Sequence, residues 1–469
     1  MIDRVAAERY GDTMTDLLPR STPEQQSVPA AAISRLVTAL DAIDRVHTLT
    51  VVRHGHVIAE ATWAPYERDL PTAMYSVSKS FTSIAVGLAV AEGRFAVDDR
   101  VIDLVPDLAP ADPSDRLAAL RVRHLLTMTT GHAEEAPLDE GDWARDALAA
   151  ELLHEPGAHW MYNTPATHLL SAIVQARTGE RLVEYLRPRL FDPLGFRDPW
   201  WLQSPTGVDA GGFGLSIRPE ELAAFGQLLL QRGEWHGTQL VPAEWIDQAT
   251  GRQVPNGSGD SDWNQGYGFQ FWRCRHGAYR GDGAFGQYVV VLPEADAVVA
   301  ITGGLPDMQA PLDAVWRQLL PAFDSVEPGS SSSAPTPIRA PGGERRAREV
   351  RHRYDGPVRE LGIGDGVLAI DGRELPCLPG VWSVSTFADD GVAGWDWFGE
   401  QVAVAGGWHG DVFVAELRIL GDAPTFRLVV QPSGRLQITQ DVGFGGPEVW
   451  QGAPASQPEV AAHQSAVSP

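Results

Sequence analysis

Apolar residues recur along the chain with two periods, and the changes of period outline its organisation. Between residues 30 and 44, Ile33, Leu36, Val37, Leu40 and Ile43 share one face at helical spacing, which predicts a helix. The run TLTVVRHGHVIAEATW that follows is β-rich and breaks at Arg53 to His56, where Gly55 suits a turn, so it predicts two strands. SVSKSFTSIAVGLAVAEG opens on serine, carries Phe81, Ile84 and Leu88 on one side of a small, apolar body and stops at Gly93. It reads as a buried helix beginning at or near Ser76.

From about 98 to 250 the pattern is helical pieces between loops: Thr164-Pro165 opens one helix that Gly179 closes, and Pro219 opens another that ends near Gly233. Strands return at YGFQFW (267–272), QYVVVLP (287–293) and AVVAIT (297–302), followed by a helix over 307–320. The expected fold is α/β of the α+β kind, one antiparallel sheet flanked by helices with a helical subdomain between its two halves.

Residues 325–343 are dense in Pro, Ser and Gly, which is linker composition. The expected organisation is a first domain over 1–324, a linker over 325–345 and a small β-rich domain over 346–452, with a disordered tail over 453–469. VLAIDG, VWSVSTF, GWDWFG, QVAVAGGW, VFVAELRIL, FRLVVQ and RLQITQ supply that second domain with short strands, as an antiparallel barrel or sandwich.

A length of 469 residues fits a domain of roughly 300 residues plus a smaller one. The net charge of -24 leaves no basic stripe for a phosphate backbone and repels anionic lipid, so neither nucleic acid nor a membrane surface is an expected partner. Acidic residues and arginines interrupt every apolar stretch near the N-terminus, where neither a signal peptide nor a membrane span can be drawn, and a cytoplasmic location is expected. Cys274 and Cys377 fall in different expected domains, which argues against a structural disulfide. Neither H-E-x-x-H, C-x-x-C nor a glycine-rich phosphate loop occurs.

One compositional fact changes the picture. Of the 37 lysines and arginines, Lys79 is the sole lysine. Arginine serves as well on a solvated surface but stays protonated, whereas a buried lysine can lose its proton and act as a base. Ser76 and Lys79 stand at i and i+3 on the predicted helix, hence on one face. A serine hydroxyl becomes a competent nucleophile when a neighbouring base takes its proton, and burial would lower the lysine pKa enough for that task. A helix N-terminus adds free N–H groups for a developing oxyanion.

The run MYSVSKSFTSIAVGLAVAEGRFAVDDRVIDLVPD, with RHLLTMTTGH (123–132), LFDPLGF (190–196) and GAFGQYVVVLPE (283–294), resembles the β-lactamase-related serine hydrolases. That group takes in class C β-lactamases, penicillin-binding DD-peptidases, family VIII esterases and 6-aminohexanoate-dimer hydrolases, and the likeness covers about residues 20–323. It implies an active site between the sheet and the helical subdomain, and no metal or organic cofactor. In EPGAHWMYNT it places Tyr162 where the family's tyrosine would share a proton with Lys79 and pass it to the leaving group. Either Asn163 or Thr164 would take the role of the amide that orients lysine and substrate.

The family's Lys- or His-Thr-Gly motif aligns with Gly281-Asp282-Gly283, with Gly286 at a later glycine position. Loss of that cation argues against β-lactams and D-amino-acid carboxylates as substrates, unless Arg280 or His276 replaces it; either could equally be a surface charge. Gly283 would admit a substrate carbonyl, with the N–H groups of Ser76 and Ala284 as the oxyanion hole. Trp143, Trp160, Trp263, Trp272 and Phe285 suggest an apolar pocket, core packing being the role expected of at least half, while His124 and His132 read as structural.

The expected function is hydrolysis of a small or short peptide-like ester or amide through an acyl-enzyme at Ser76. Transfer of the acyl group to an amine or alcohol, as in an acyltransferase or peptide cyclase of this fold, is the second reading. A ligand-binding protein without turnover is the third, and the retained Lys79 speaks against it. Oligomeric state and the purpose of the second domain are not encoded in any motif.

Overall fold

The stripe at 33–43 forms a helix, as its period requires. The computed structural model describes residues 16–43, 45–323, 340–386 and 401–455. In it α1 spans Ala30–Ile43 and buries Ile33, Leu36, Val37 and Leu40. The hairpin of β1 (Val46–Arg53) and β2 (His56–Thr62) follows, and both residues of its turn, His54 and Gly55, adopt positive φ, as a turn matched to strand twist demands.

Ser76 lies in a single 3-10 turn, Tyr75–Val77, that runs straight into α2 (Ser78–Ala91). Every residue from Ser78 to Ala89 is buried, so the helix runs through the middle of its unit instead of presenting one apolar side. Three of its hydroxyls are bonded there: Ser78 Oγ accepts from Leu215 N, Ser80 Oγ donates to Gln270 O and Thr82 Oγ1 donates to Gly211 O.

Packed beside it is α3 (Thr164–Thr178), opened by a proline in its first turn and closed by Gly179 at φ 82°. Then α4 (Pro219–Leu230) lies on the sheet so closely that a Cβ on Gly226 would overlap Val289 and Val298. The remaining strands of the six-stranded sheet are β3 (Trp272–Arg273), β4 (Tyr279–Gly283), β5 (Gln287–Leu292) and β6 (Ala297–Gly303), and α5 (Gln309–Ala314) follows them. The sheet order is β2-β1-β6-β5-β4-β3, antiparallel throughout.

Two expected elements differ. Of 267–272 only Trp272 enters the sheet. Gln270 takes φ 67°, its amide donates to the carbonyls of Leu125 and Leu126 at 3.0 Å each, and its Oε1 accepts from Thr167 at 2.7 Å. Those long-range bonds override a β-rich composition. The helix expected over 307–320 is α-helical only across α5, then continues in wider and tighter turns to Ala322.

The chain divides into two units, Met1–Pro337 and Ile338–Pro469. In the second, β7 (Val350–Arg353), β8 (Glu360–Ile363), β9 (Val367–Ile370) and β10 (Arg373–Pro376) form one antiparallel sheet in chain order. A second sheet holds β11 (Ser383–Thr386), β12 (Gln401–His409), β13 (Val412–Ile419), β14 (Thr425–Val430), β15 (Leu436–Gln440) and β16 (Glu448–Gly452), also in order. Neither sheet closes into a barrel, and both contribute side chains to one core that includes Leu361, Leu368, Leu417 and Leu428. GWDWFG, most of the expected linker and the last residues of the chain lie outside the described residues. Cys274 and Cys377 are free and buried. Among the described residues no helix is long and apolar enough to cross a membrane.

Candidate active site

Position i and i+3 on a turn leading into a buried helix should put the Ser76 and Lys79 side chains together. Lys79 Nζ lies 3.0 Å from Ser76 Oγ, 2.7 Å from the carbonyl oxygen of Gly212 and 3.4 Å from Thr164 Oγ1. The lysine is 1 % exposed. Burial drives its pKa down to about 7, against the opposing pull of the Glu135 and Asp282 carboxylates. A neutral amine has two N–H donors and one lone pair. The Gly212 carbonyl and the Thr164 hydroxyl accept the two donors, which aims the lone pair at Ser76, whose O–H then donates to the amine.

Tyr162 completes a compact group. Its hydroxyl is hydrogen-bonded with Ser76, and its ring lies 4.8 Å below Lys79 Nζ and stacks on Trp272 at 5.5 Å. Burial pushes the phenol pKa well above its ordinary value. The same desolvation that makes the amine a free base thus keeps the phenol protonated, a donor beside an acceptor.

Thr164 and Asn163 part company. Thr164 reaches Lys79, while buried Asn163 caps α3 by accepting from Ala166 N at 2.9 Å and turns its amide nitrogen toward Thr130 and His132. The N-cap of α3 is thus Asn163. Thr164 N in turn donates to Glu135 Oε1 at 2.6 Å.

On the opposite wall, β4 runs against the nucleophile turn. A Cβ on Gly283 would overlap the Met74 carbonyl oxygen and one on Gly281 would press on Ser80 and Val77, so both glycines are needed for the strand's own approach to that turn. Ala284 follows in the β4–β5 hairpin, where Phe285 and Gly286 take positive φ and Phe285 meets Tyr75 edge-on at 5.2 Å. Tyr75, immediately before Ser76, also sits at φ 46°, a conformation that costs a side-chain-bearing residue about 1 kcal/mol or more.

Asp282 projects from the same strand, with Arg280 Nε at 2.7 Å. Arg280 is no surface charge: it is fully buried, donates to Asp262 O and Cys274 Sγ, and lies 4.6 Å from the centre of the Trp263 ring. His276 is exposed and packs on Trp316. Trp160, Trp263 and Trp272 cluster with Tyr162, Tyr267 and Met128 beside the site, whereas Trp143 packs on His168 and Phe213. Burial holds His124 down to about 4 and also lowers His132, which bonds Thr130 and the Ala147 carbonyl.

Sequence reasoning passed over two contributors, the Gly212 carbonyl and Glu135. A backbone carbonyl leaves no side-chain signature, although the Gly211-Gly212 pair hinted at a close approach: a Cβ on Gly212 would collide with Thr164. Among the described residues no group of three His, Cys, Asp or Glu is arranged to hold a metal ion.

A buried lysine beside a serine at the head of a central helix, flanked by an antiparallel sheet, marks a class of hydrolytic enzymes, and relatives agree. The Beta-lactamase family matches residues 22–318, and the chain belongs to that family. It is similar to the 6-aminohexanoate-dimer hydrolase of Paenarthrobacter ureafaciens, with 26 % identity over 65 % of this chain and 86 % of that protein. Esterase EstB of Burkholderia gladioli is 28 % identical over 61 % of this chain and 76 % of its own length. Among solved structures, a penicillin-binding protein homologue from Caulobacter crescentus shares the fold with a TM-score of 0.51 at 19 % identity, covering 62 % of this chain and 97 % of that one.

Proposed function

We propose that this chain cleaves an ester or amide through an acyl-enzyme on Ser76, with Lys79 as general base and Tyr162 as general acid. The observation that carries the reading is the 3.0 Å approach of Lys79 Nζ to Ser76 Oγ inside a site that lowers the amine pKa to about 7. Lys79 takes the hydroxyl proton as Ser76 Oγ bonds to the substrate carbonyl carbon, and the carbonyl oxygen becomes an oxyanion. The N–H groups of Ser76 and Ala284 receive that oxygen, a role supported by the close approach of Gly283 to the Met74 carbonyl, two residues before Ser76.

The tetrahedral intermediate collapses as Tyr162 gives its proton to the leaving alcohol or amine, and the phenol is refilled from the Lys79 ammonium. Water then attacks the acyl group with the same two residues acting in reverse. Thr164, rather than Asn163, orients the lysine in this scheme. Domains over 1–324 and 346–452 and a cytoplasmic site of action complete the proposal.

A fluorophosphonate probe tests it: the folded wild type is labelled stoichiometrically, Ser76→Ala is not, and esters of short acids are hydrolysed by the first alone. Labelling that survives Ser76→Ala would end the proposal.

A further inference from the structure

A tyrosine that serves both Ser76 and Lys79 needs a fixed ring, and its own segment does little to fix it. Residues 161–163 lie in neither helix nor strand. Their backbone is pinned at Met128, whose carbonyl accepts from Met161 N at 2.9 Å and whose Sδ accepts from Asn163 N at 3.2 Å. Those bonds leave the Tyr162 side-chain torsions unset. A swing of the ring would carry its hydroxyl away from Ser76 and its face away from Lys79. What meets that ring is the indole of Trp272, 5.5 Å away and 24° from parallel. Trp272 is 8 % exposed and is held in turn: Tyr267 meets it edge-on at 5.1 Å, Trp160 at 5.6 Å, and the Arg280 guanidinium lies 5.7 Å from its centre. Its backbone is registered opposite Arg280 on β4, the strand that also carries Gly283. The indole thus ties the Tyr162 ring to the strand that faces the nucleophile turn.

We infer that Trp272 is a positioning residue for the general acid: its indole is the platform that holds Tyr162 where the phenolic proton reaches the leaving group. The inference rests on the proposed hydrolase reading and deepens it, because Trp272 acts through Tyr162. As the bond between the carbonyl carbon and the leaving oxygen breaks, its electron pair stays on that oxygen, and the Tyr162 O–H bond breaks to supply the proton. A displacement of the donor by about 1 Å is enough to cost about 10²-fold in such a step. The loss depends on the leaving group. A p-nitrophenolate departs as a stable anion and needs no proton, whereas a p-methoxyphenolate is more basic and does.

A series of aryl butyrates graded from p-nitrophenyl to p-methoxyphenyl tests this with the full-length chain, read as kcat/KM, which reports acylation. In Trp272→Leu, folded by circular dichroism, the p-methoxyphenyl ester should lose about 10²-fold and the p-nitrophenyl ester no more than about threefold. Trp272→Phe keeps an aromatic face and should restore most of the loss. In a Tyr162→Phe background, where the acid is already gone, Trp272→Leu should cost little more with either ester. Trp272→Met fills the space without a face and takes the place of Trp272→Leu if that variant does not fold. An equal loss across the series, no loss, or a loss of undiminished size in the Tyr162→Phe background overturns the assignment while leaving the hydrolase reading intact. Turnover that persists in Ser76→Ala, or none with any ester of the series, sinks the hydrolase reading itself and this inference with it.

Discussion

A lysine amine and a tyrosine hydroxyl, both buried beside Ser76, are pushed by desolvation toward their uncharged forms, one down and one up. Turnover then needs Lys79 deprotonated, so the pH dependence has a definite sign. With the amine at about 7, kcat/KM for a neutral ester rises with pH through that value and levels above it, and at pH 6 it is about tenfold below the plateau. A steady-state profile between pH 5 and 9 checks this; a flat profile contradicts it. Lys79→Arg keeps a cation but removes the base, because a guanidinium retains its proton at these pH values. It is expected to lower turnover by about 10³-fold while circular dichroism stays that of the wild type.

At the level of elements, the nucleophile turn and β4 are fitted to each other by missing side chains. Gly283→Ala forces a methyl group against the Met74 carbonyl and the Gln287 side chain, two residues from Ser76 on one side. Overpacking of that kind costs about 1–3 kcal/mol. Urea unfolding should show the loss, and fluorophosphonate labelling of the folded fraction should slow because the turn has moved. The neighbouring elements show what a linear reading can and cannot see. α1, the β1–β2 hairpin and α2 were legible because their signals are local: a period, a turn glycine, a serine start. The closeness of Ser76 and Lys79 was legible for the same reason, being three residues apart on one turn. Gln270 was not, since the bonds that pull it out of a strand go to Leu125, Leu126 and Thr167, more than a hundred residues away in sequence. The Gly212 carbonyl reaches Lys79 across a separation of 133 residues and carries no side chain to announce itself.

The whole molecule consists of two units, each with a core of its own. Leu428, 1 % exposed, belongs to the core of the second unit. Leu428→Ala should therefore lower one unfolding transition by about 2–5 kcal/mol and leave Ser76-dependent ester hydrolysis in place, which calorimetry paired with an activity assay would reveal. A single transition shifted together with activity would show that the two units stand or fall together.

The enclosure of Lys79 also has a practical corollary. Succinimidyl esters, aldehydes and acetyl donors that ordinarily decorate protein surfaces through lysine find no exposed target of that kind here, since the sole ε-amine is 1 % accessible. A dye introduced by such chemistry into the native fold goes to the α-amino group, giving a homogeneous conjugate, and uptake of a second equivalent reports that the protein has opened.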